Sequence, residues 1–230
     1  MDTHSFAENG ITITNVRREV KILLDPDEAE PVAGALARLV HPQESRVVAV
    51  YFDSPDGALA RRAASSPDDC VKVRAKSYAP DRSGECGRVV LEVKREREGI
   101  TTKERIWLPL ADVRDAVANS LAPTFGALAP AVATSYRRRV YQTSPHWRVT
   151  IDDDLTFHQA AWALFADDAP PWHGGLGAAL GAEPRVVIEL KFGPDGIPRW
   201  LANLGWTRGT TYSKFATAVG LGARDRSAGA

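Results

Sequence analysis

Cations recur at every second position through much of this 230-residue sequence. Lys72, Arg74 and Lys76 alternate with Val71, Val73 and Ala75, and Lys103 and Arg105 stand opposite Ile106 and Leu108. Arg148, Thr150 and Asp152 alternate with Trp147, Val149 and Ile151. In three further places a glutamate stands two residues from a lysine: Glu19 and Lys21, Glu92 and Lys94, Glu189 and Lys191. A β-strand sends successive side chains to opposite faces, so each set shares one face. If the sheet closes, Lys21, Lys72, Arg74, Lys76, Lys94, Lys103, Arg105, Arg138, Arg148 and Lys191 face one bore, with the apolar faces turned outward. Two like charges 4 Å apart cost about 4 kcal/mol at an effective dielectric near 20. The few carboxylates among them cannot neutralise so many cations, so such a bore makes sense only with a polyanion inside it. A single phosphate needs few donors, as at a helix N-terminus. Cations spread around a bore match an extended phosphate chain, with Arg gripping oxygens in pairs and Lys acting as a point charge. The carboxylates could hold Mg²⁺ or Mn²⁺ against phosphate oxygens. Alternatively, Glu19 and Glu92 simply pair with neighbouring cations.

The elements that must position these residues are mostly strands. Period-two alternation predicts strands around 16–22, 71–76, 91–94, 103–108, 135–142, 147–152 and 186–192, and the apolar run at 46–52 (RVVAVYF) predicts another. Helices are predicted over 26–40, which opens with Pro and acids, and over 109–121, with Val113, Val117 and Leu121 on one stripe. Shorter helices are predicted near 159–165, 198–204 and 213–220. The expected class is α+β, mainly β: an eight-stranded antiparallel tunnel or barrel with helices on the outside. The whole chain, 1–230, reads as one domain, with frayed ends at 1–12 and 221–230 and a long loop at 168–184. Asp152–Asp154 reads as a polar strand end or an extra metal contact. Tyr78 and Tyr136 read as packing residues at strand ends. Trp162, Trp172, Trp200 and Trp206 are expected to pack helices on the outer wall or fill a loop cluster.

Composition removes several classes. Lys plus Arg and Asp plus Glu are 29 each, so a generally basic nucleic-acid coat is excluded. No aromatic ladder interleaves with the basic positions, which argues against an RNA-binding barrel. Cys70 and Cys86 are too few for a disulfide framework or a four-thiolate zinc site, as expected in a reducing cytoplasm. No signal peptide and no long apolar run is seen, so work at a membrane would need a membrane-protein partner. His4, His41, His146, His158 and His173 have no metal-ligand spacing. Neither a G-x-S-x-G elbow nor a P-loop occurs. The Gly-rich segment 173–177 (HGGLG) reads as a flexible loop.

The motifs fall in an order that resembles a known family. R-x-E-x-K at 17–21, VYFDSPD at 50–56, VKVRAKSY at 71–78, LEVKRE at 91–96 and TKERI at 102–106 are followed by SYRRRVY at 135–141, WRVTIDDDL at 147–155, VIELKFG at 187–193 and YSKFATAV at 212–219. Together they resemble the VTC (vacuolar transporter chaperone) domain, the polyphosphate polymerase branch of the CYTH-like triphosphate tunnel metalloenzymes. The resemblance implies a tunnel, a divalent metal, and transfer of the γ-phosphate of ATP to a growing polyphosphate chain. It implies catalytic or phosphate-contacting roles for Lys21, Arg74, Lys76, Lys94, Lys103, Arg138, Arg148, Lys191 and Lys214; Lys72 and Arg105 join them as phosphate-binding residues from the alternation. It makes Glu189 the leading metal ligand, with Glu19 beside it, for Mn²⁺ or Mg²⁺. Arg17 stands where the hydrolase branch carries a first Glu, which favours the polymerase branch, and Lys76 stands where Arg would serve as well. The alternatives are a hydrolase of tripolyphosphate or an organic triphosphate, and a polyphosphate-binding module without turnover.

Overall fold

The computed structural model describes residues 13–15, 18–79, 88–98, 100–144, 147–166, 172, 175–193, 196–197, 199–202 and 209–228. Its centre is a ten-stranded antiparallel sheet. In chain order the strands are β1 (Ile13–Asn15), β2 (Arg18–Leu24), β3 (Gln43–Asp53), β4 (Asp69–Ala79), β5 (Arg88–Arg97) and β6 (Ile100–Pro109), then β7 (Ala129–Ser144), β8 (Trp147–Gln159), β9 (Ala179–Glu183) and β10 (Val186–Phe192). The spatial order is β1-β6-β5-β4-β3-β7-β8-β10-β2, with β9 on β8. Among the described residues, no pairing joins β1 to β2, so backbone hydrogen bonds leave the sheet open. The two outermost strands nevertheless follow one another in the chain, β1 on the β6 edge and β2 on the β10 edge. One N-terminal segment thus serves both edges, and the sheet curls around a central bore.

All eight expected strands form, and β1 and β9 are additions. Residues 168–184 were expected to be a loop, but β9 forms at its end, pairing with residues 155–158 of β8. Its sequence, ALGAE, is small and has no alternation to reveal it.

The helices cover the sheet in three places. Helix α1 (Pro26–Ala37) starts with Pro26, and the Glu28 carboxylate accepts the Asp25 N–H at 3.2 Å, closing the first turn. Its Ala29, Val32 and Leu36 meet Ile22, Ile151, Ile188 and Leu190 on the outer face. Helix α2 (Ala58–Ser65) is anchored by buried Asp53, which accepts the N–H groups of Leu59 and Ala60 at 2.8 and 3.0 Å. Residues 110–125 form α3, which starts as a 3₁₀ turn, becomes α over Val113–Ala116, widens to a π turn over Val117–Leu121 and ends as α over Ala122–Phe125. Its Val113, Val117 and Leu121 cover Val73, Leu91 and Val93. Trp162 and Trp172 join that outer cluster, each against Phe165. The Trp200 side chain and Trp206 lie outside the described residues, as do Cys86, Arg17 and residues 1–12.

Helix α4 is the short Arg199–Ala202, and α5 runs over Lys214–Ala228. Residues 221–228 of the expected frayed end lie within this helix. Leu221 reaches over Gly181 of β9, a tertiary contact at the start of that segment. Helix α5 also covers inner-face residues: Phe215 and Ala218 lie with Val47, Ala49, Tyr51, Tyr136 and Val187. Strand β3 is consequently buried on both faces, which explains its nearly continuous apolar sequence.

Candidate functional site

The register stacks the cation rows side by side. Lys72, Lys94 and Lys103 are neighbours across β4, β5 and β6; Arg74, Glu92 and Arg105 form the next level; Lys76, Val90 and Trp107 the next. On the far side Arg138 pairs with Asp152, Arg148 with Lys191, and Lys21 with Glu189. All eleven predicted cations line one cavity of about 580 Å³: Lys21, Lys72, Arg74, Lys76, Lys94, Lys103, Arg105, Arg138, Arg148, Lys191 and Lys214. Glu189 lines it too. The bore is cationic, and its apolar counterparts face out under the helices.

Carboxylates stand among the cations and hold their heads in place. Glu92, fully buried, accepts from Arg74 at 2.5 and 2.9 Å, from Arg105 at 2.6 Å and from Lys76 at 3.3 Å. Asp152 takes a two-pronged grip from Arg138 at 2.6 and 2.7 Å and a bond from Lys214 at 2.7 Å. Glu19 lies between Lys21 at 2.7 Å and Lys191 at 3.1 Å, and Lys191 also pairs with Glu189. Glu96 pairs with Lys94. Among the described residues, eleven cations therefore meet five paired carboxylates and the exposed Glu44, which also lines the cavity, leaving an excess of five positive charges.

That excess is written into the ionisation of the site. Burial pushes the Lys103 ammonium down to about 8, and nearby Lys94 pushes the same way. Burial likewise lowers Lys72, Lys76, Lys191 and Lys214, with neighbouring cations adding to it. Burial alone would raise Glu19, Glu92 and Asp152, but the adjoining lysines and arginines overrule it and hold all three far below the usual carboxylate range.

The start of α5 adds a further positive feature. Ser213 caps the helix, its Oγ accepting the Ala216 N–H at 3.4 Å, and Tyr212, Ser213, Lys214 and Phe215 all line the cavity. The helix N-terminus carries the positive end of its dipole. Phe215 stacks on Tyr51 with ring centroids 4.9 Å apart, and the Lys214 ammonium lies 4.8 Å from the Tyr136 ring.

Glu19 and Glu189 are hard oxygen donors, and Lys191 is the cation they share here. Among the described residues no three His, Cys, Asp or Glu side chains converge as a metal cage. Mg²⁺ is commonly held by one or two carboxylates, with water and substrate phosphate completing its shell. The Glu19–Glu189 donor set fits an ion completed in that way, and does not fit one enclosed by protein alone.

The VTC domain family model matches residues 16–124 and 120–221, nearly the whole described chain. The chain belongs to the VTC domain family. No curated protein sequence matches it. Among solved structures it is similar to HpAC1 of Hippeastrum, assigned as an adenylyl cyclase and reported with a dominant triphosphatase activity. That match has 15% identity and a TM-score of 0.52, covering 88% of this chain and 95% of the other. It is also similar to a protein of Bacillus halodurans assigned as an adenylate cyclase, at 11% identity and a TM-score of 0.51, covering 89% and 97%. These likenesses show that the chain shares the fold of those two proteins.

Within this VTC domain, several expectations need correction. Asp152 is neither a strand end nor a free carboxylate for metal: it is buried inside β8 and held by Arg138 and Lys214. Asp154 alone has the turn-like backbone, with φ of 52°. Tyr136 is not at a strand end; it is buried within β7 and lines the cavity, as Tyr78 does near the end of β4. Segment 173–177 is not simply flexible at its described end, because a Cβ on Gly177 would meet the Gln159 carbonyl oxygen at 2.3 Å. Trp107 and Glu96 were missed. Trp107 continues the Lys103–Arg105 row and Glu96 the Glu92–Lys94 row, so the alternation already contained both.

Proposed function

We propose that this VTC domain is a metal-dependent polyphosphate polymerase, transferring the γ-phosphate of ATP to the end of a polyphosphate chain within the bore. One observation carries the reading: eleven cations line a single cavity, and every carboxylate paired with them is engaged by lysine or arginine. An extended phosphate chain supplies the missing negative charge. The eleven cations are its contacts, with Arg74, Arg105, Arg138 and Arg148 placing paired donors and the lysines supplying point charges.

Phosphoryl transfer asks the protein mainly to position groups and neutralise charge. A new P–O bond forms from a terminal oxygen of the chain to the γ-phosphorus, and the β–γ bridging P–O bond breaks, releasing ADP. A terminal phosphate oxygen is already anionic near neutral pH, so the acceptor needs no strong general base. Glu19, Glu92 and Asp152, held far below their usual range, are poor bases for activating water. Arg17, standing where the hydrolase branch carries a first Glu, favours a phosphate acceptor over hydrolysis, the activity reported for the Hippeastrum protein. Lys and Arg along the bore stabilise charge on the transferring group and on the leaving ADP. A Mg²⁺ or Mn²⁺ held by Glu189 and Glu19 would add Lewis-acid neutralisation of phosphate oxygens. ATP as donor places the reaction in the cytoplasm. No helix among the described residues is long and apolar enough to cross a membrane; a membrane-protein partner that moves the product is part of the same proposal.

Incubation with ATP and Mn²⁺, followed by gel separation of chain products and measurement of released phosphate, tests the proposal. Long chains support it. Orthophosphate without chains makes the protein a hydrolase, and neither product with retained tripolyphosphate binding makes it a binding module.

A further inference from the structure

Towards one end of the bore, the cation rows of β4 and β6 run out into aromatic side chains. On β6 the row Lys103, Arg105 continues to Trp107, and on β4 the row Lys72, Arg74, Lys76 continues to Tyr78; Trp107 and Tyr78 both line the cavity. Their ring centroids are 6.5 Å apart, and the Lys76 ammonium lies 5.6 Å from the Tyr78 ring. Trp107 is 54% exposed, the one aromatic among the large exposed apolar side chains of the described residues. Tyr51 and Tyr136, deeper in the bore, are covered: Tyr51 stacks on Phe215, and Tyr136 lies under Arg138 and Lys214. A half-open indole at the mouth of a cationic bore costs hydration and contributes nothing to the core.

We infer that Trp107, with Tyr78 beside it, is the docking platform for the nucleobase of the nucleoside triphosphate whose phosphates enter the bore. This inference rests on the phosphate-tunnel reading above. Phosphate has no use for the platform, because an aromatic face carries negative potential and repels anions. A nucleobase offers a flat π-surface that stacks on an aromatic ring whatever its identity. The spacing is suitable: Trp107 lies two residues beyond Arg105, about 7 Å along the strand, a span a ribose can bridge. The platform is also fixed in place, since the Arg88 guanidinium donates to the Trp107 carbonyl at 3.2 Å and β6 pairs with β5 through this level.

Isothermal titration of the full chain with ATP and, separately, with inorganic tripolyphosphate distinguishes the base site from the phosphate site. Trp107→Ala is expected to weaken ATP binding about 5- to 100-fold, the range of base–aromatic stacking, while tripolyphosphate binding stays within twofold. Trp107→Phe restores most of the ATP affinity, and GTP and CTP follow ATP in all three proteins. Unchanged ATP affinity in Trp107→Ala, or equal losses for ATP and tripolyphosphate, overturns the platform and leaves the tunnel reading standing. Failure of the unaltered protein to bind tripolyphosphate overturns the tunnel reading itself.

Discussion

Replacing Glu92 with glutamine isolates the electrostatic logic of the bore. The carboxylate has no exposed surface and takes bonds of 2.5 to 3.3 Å from Arg74, Arg105 and Lys76. Glutamine keeps the shape but removes the charge, leaving these cations facing one another without their common anion. Removing one partner of a buried ion pair costs about 3–5 kcal/mol. For a chain of this length each kcal/mol moves the melting temperature by about 2–4 °C, so Glu92→Gln is expected to melt about 6–20 °C lower. Tripolyphosphate should then recover more stability in the variant than in the unaltered protein, because bound phosphate replaces the lost negative charge. In the unaltered protein, ligand at 100 times its dissociation constant adds about 2.7 kcal/mol, or about 5–11 °C. Glu104→Gln is the control: Glu104 pairs with Arg95 in a partly exposed setting on the outer face, where such pairs contribute about 0–1 kcal/mol. Thermal melts of the three proteins with and without tripolyphosphate decide the matter. A Glu92→Gln protein that melts with the unaltered one, or that gains no more from tripolyphosphate, refutes the idea that the bore is an unbalanced charge cluster completed by polyanion.

Glu189→Gln is expected to abolish Mn²⁺-dependent turnover of ATP while tripolyphosphate binding and the melting temperature stay near those of the unaltered protein; undiminished turnover removes Glu189 from metal binding. Lys103 sits at about 8 against an ordinary 10.5, and bound polyanion pulls it back up. Binding between those two values should therefore take up protons, and affinity should fall as pH rises through 8. Titration calorimetry at pH 9 in buffers of different ionisation enthalpy reads the uptake, Lys103→Met should reduce it, and proton release on binding would contradict the assignment. Gly177→Ala places a methyl carbon against the Gln159 carbonyl and is expected to cost about 1–3 kcal/mol. A melting temperature unchanged in Gly177→Ala would show that the β8–β9 junction relaxes freely.

The inner face of the sheet was legible because strand alternation is a rule about single residues. Lys72, Arg74 and Lys76 declare their common face before any partner strand is known, and Arg148, Thr150 and Asp152 do the same. What alternation cannot supply is depth along the bore, which depends on register between strands. Asp152 was misread for that reason: as one of three aspartates it resembles a turn, and only the pairing of β7 with β8 brings Arg138 opposite it. Lys214 had no alternation to reveal it, because it enters at the head of α5 from 62 residues beyond its partner Asp152. Strand β9 and the tail of α5 were hidden by composition. Small residues carry little pattern, and Leu221 over Gly181 is a contact that no local window contains.

The choice between lysine and arginine along the bore follows from the same imbalance. Arginine cannot shed its proton within the accessible pH range, so an arginine taken out of water needs an anion beside it. Arg74 and Arg105 share Glu92, and Arg138 has Asp152. Lys72 and Lys103, by contrast, have no ion pair among the described residues, and both are pushed towards the neutral form by burial and by Lys94. A lysine can relieve crowding by losing a proton when the bore is empty and regain it when phosphate arrives. At these five positions, permanent charge stands where the protein itself provides a counter-ion, and adjustable charge where the ligand must. This division helps the fold tolerate an excess of five positive charges before its ligand binds. Burial and neighbouring cations make Lys72 and Lys103 the easier members of that excess to discharge as pH rises.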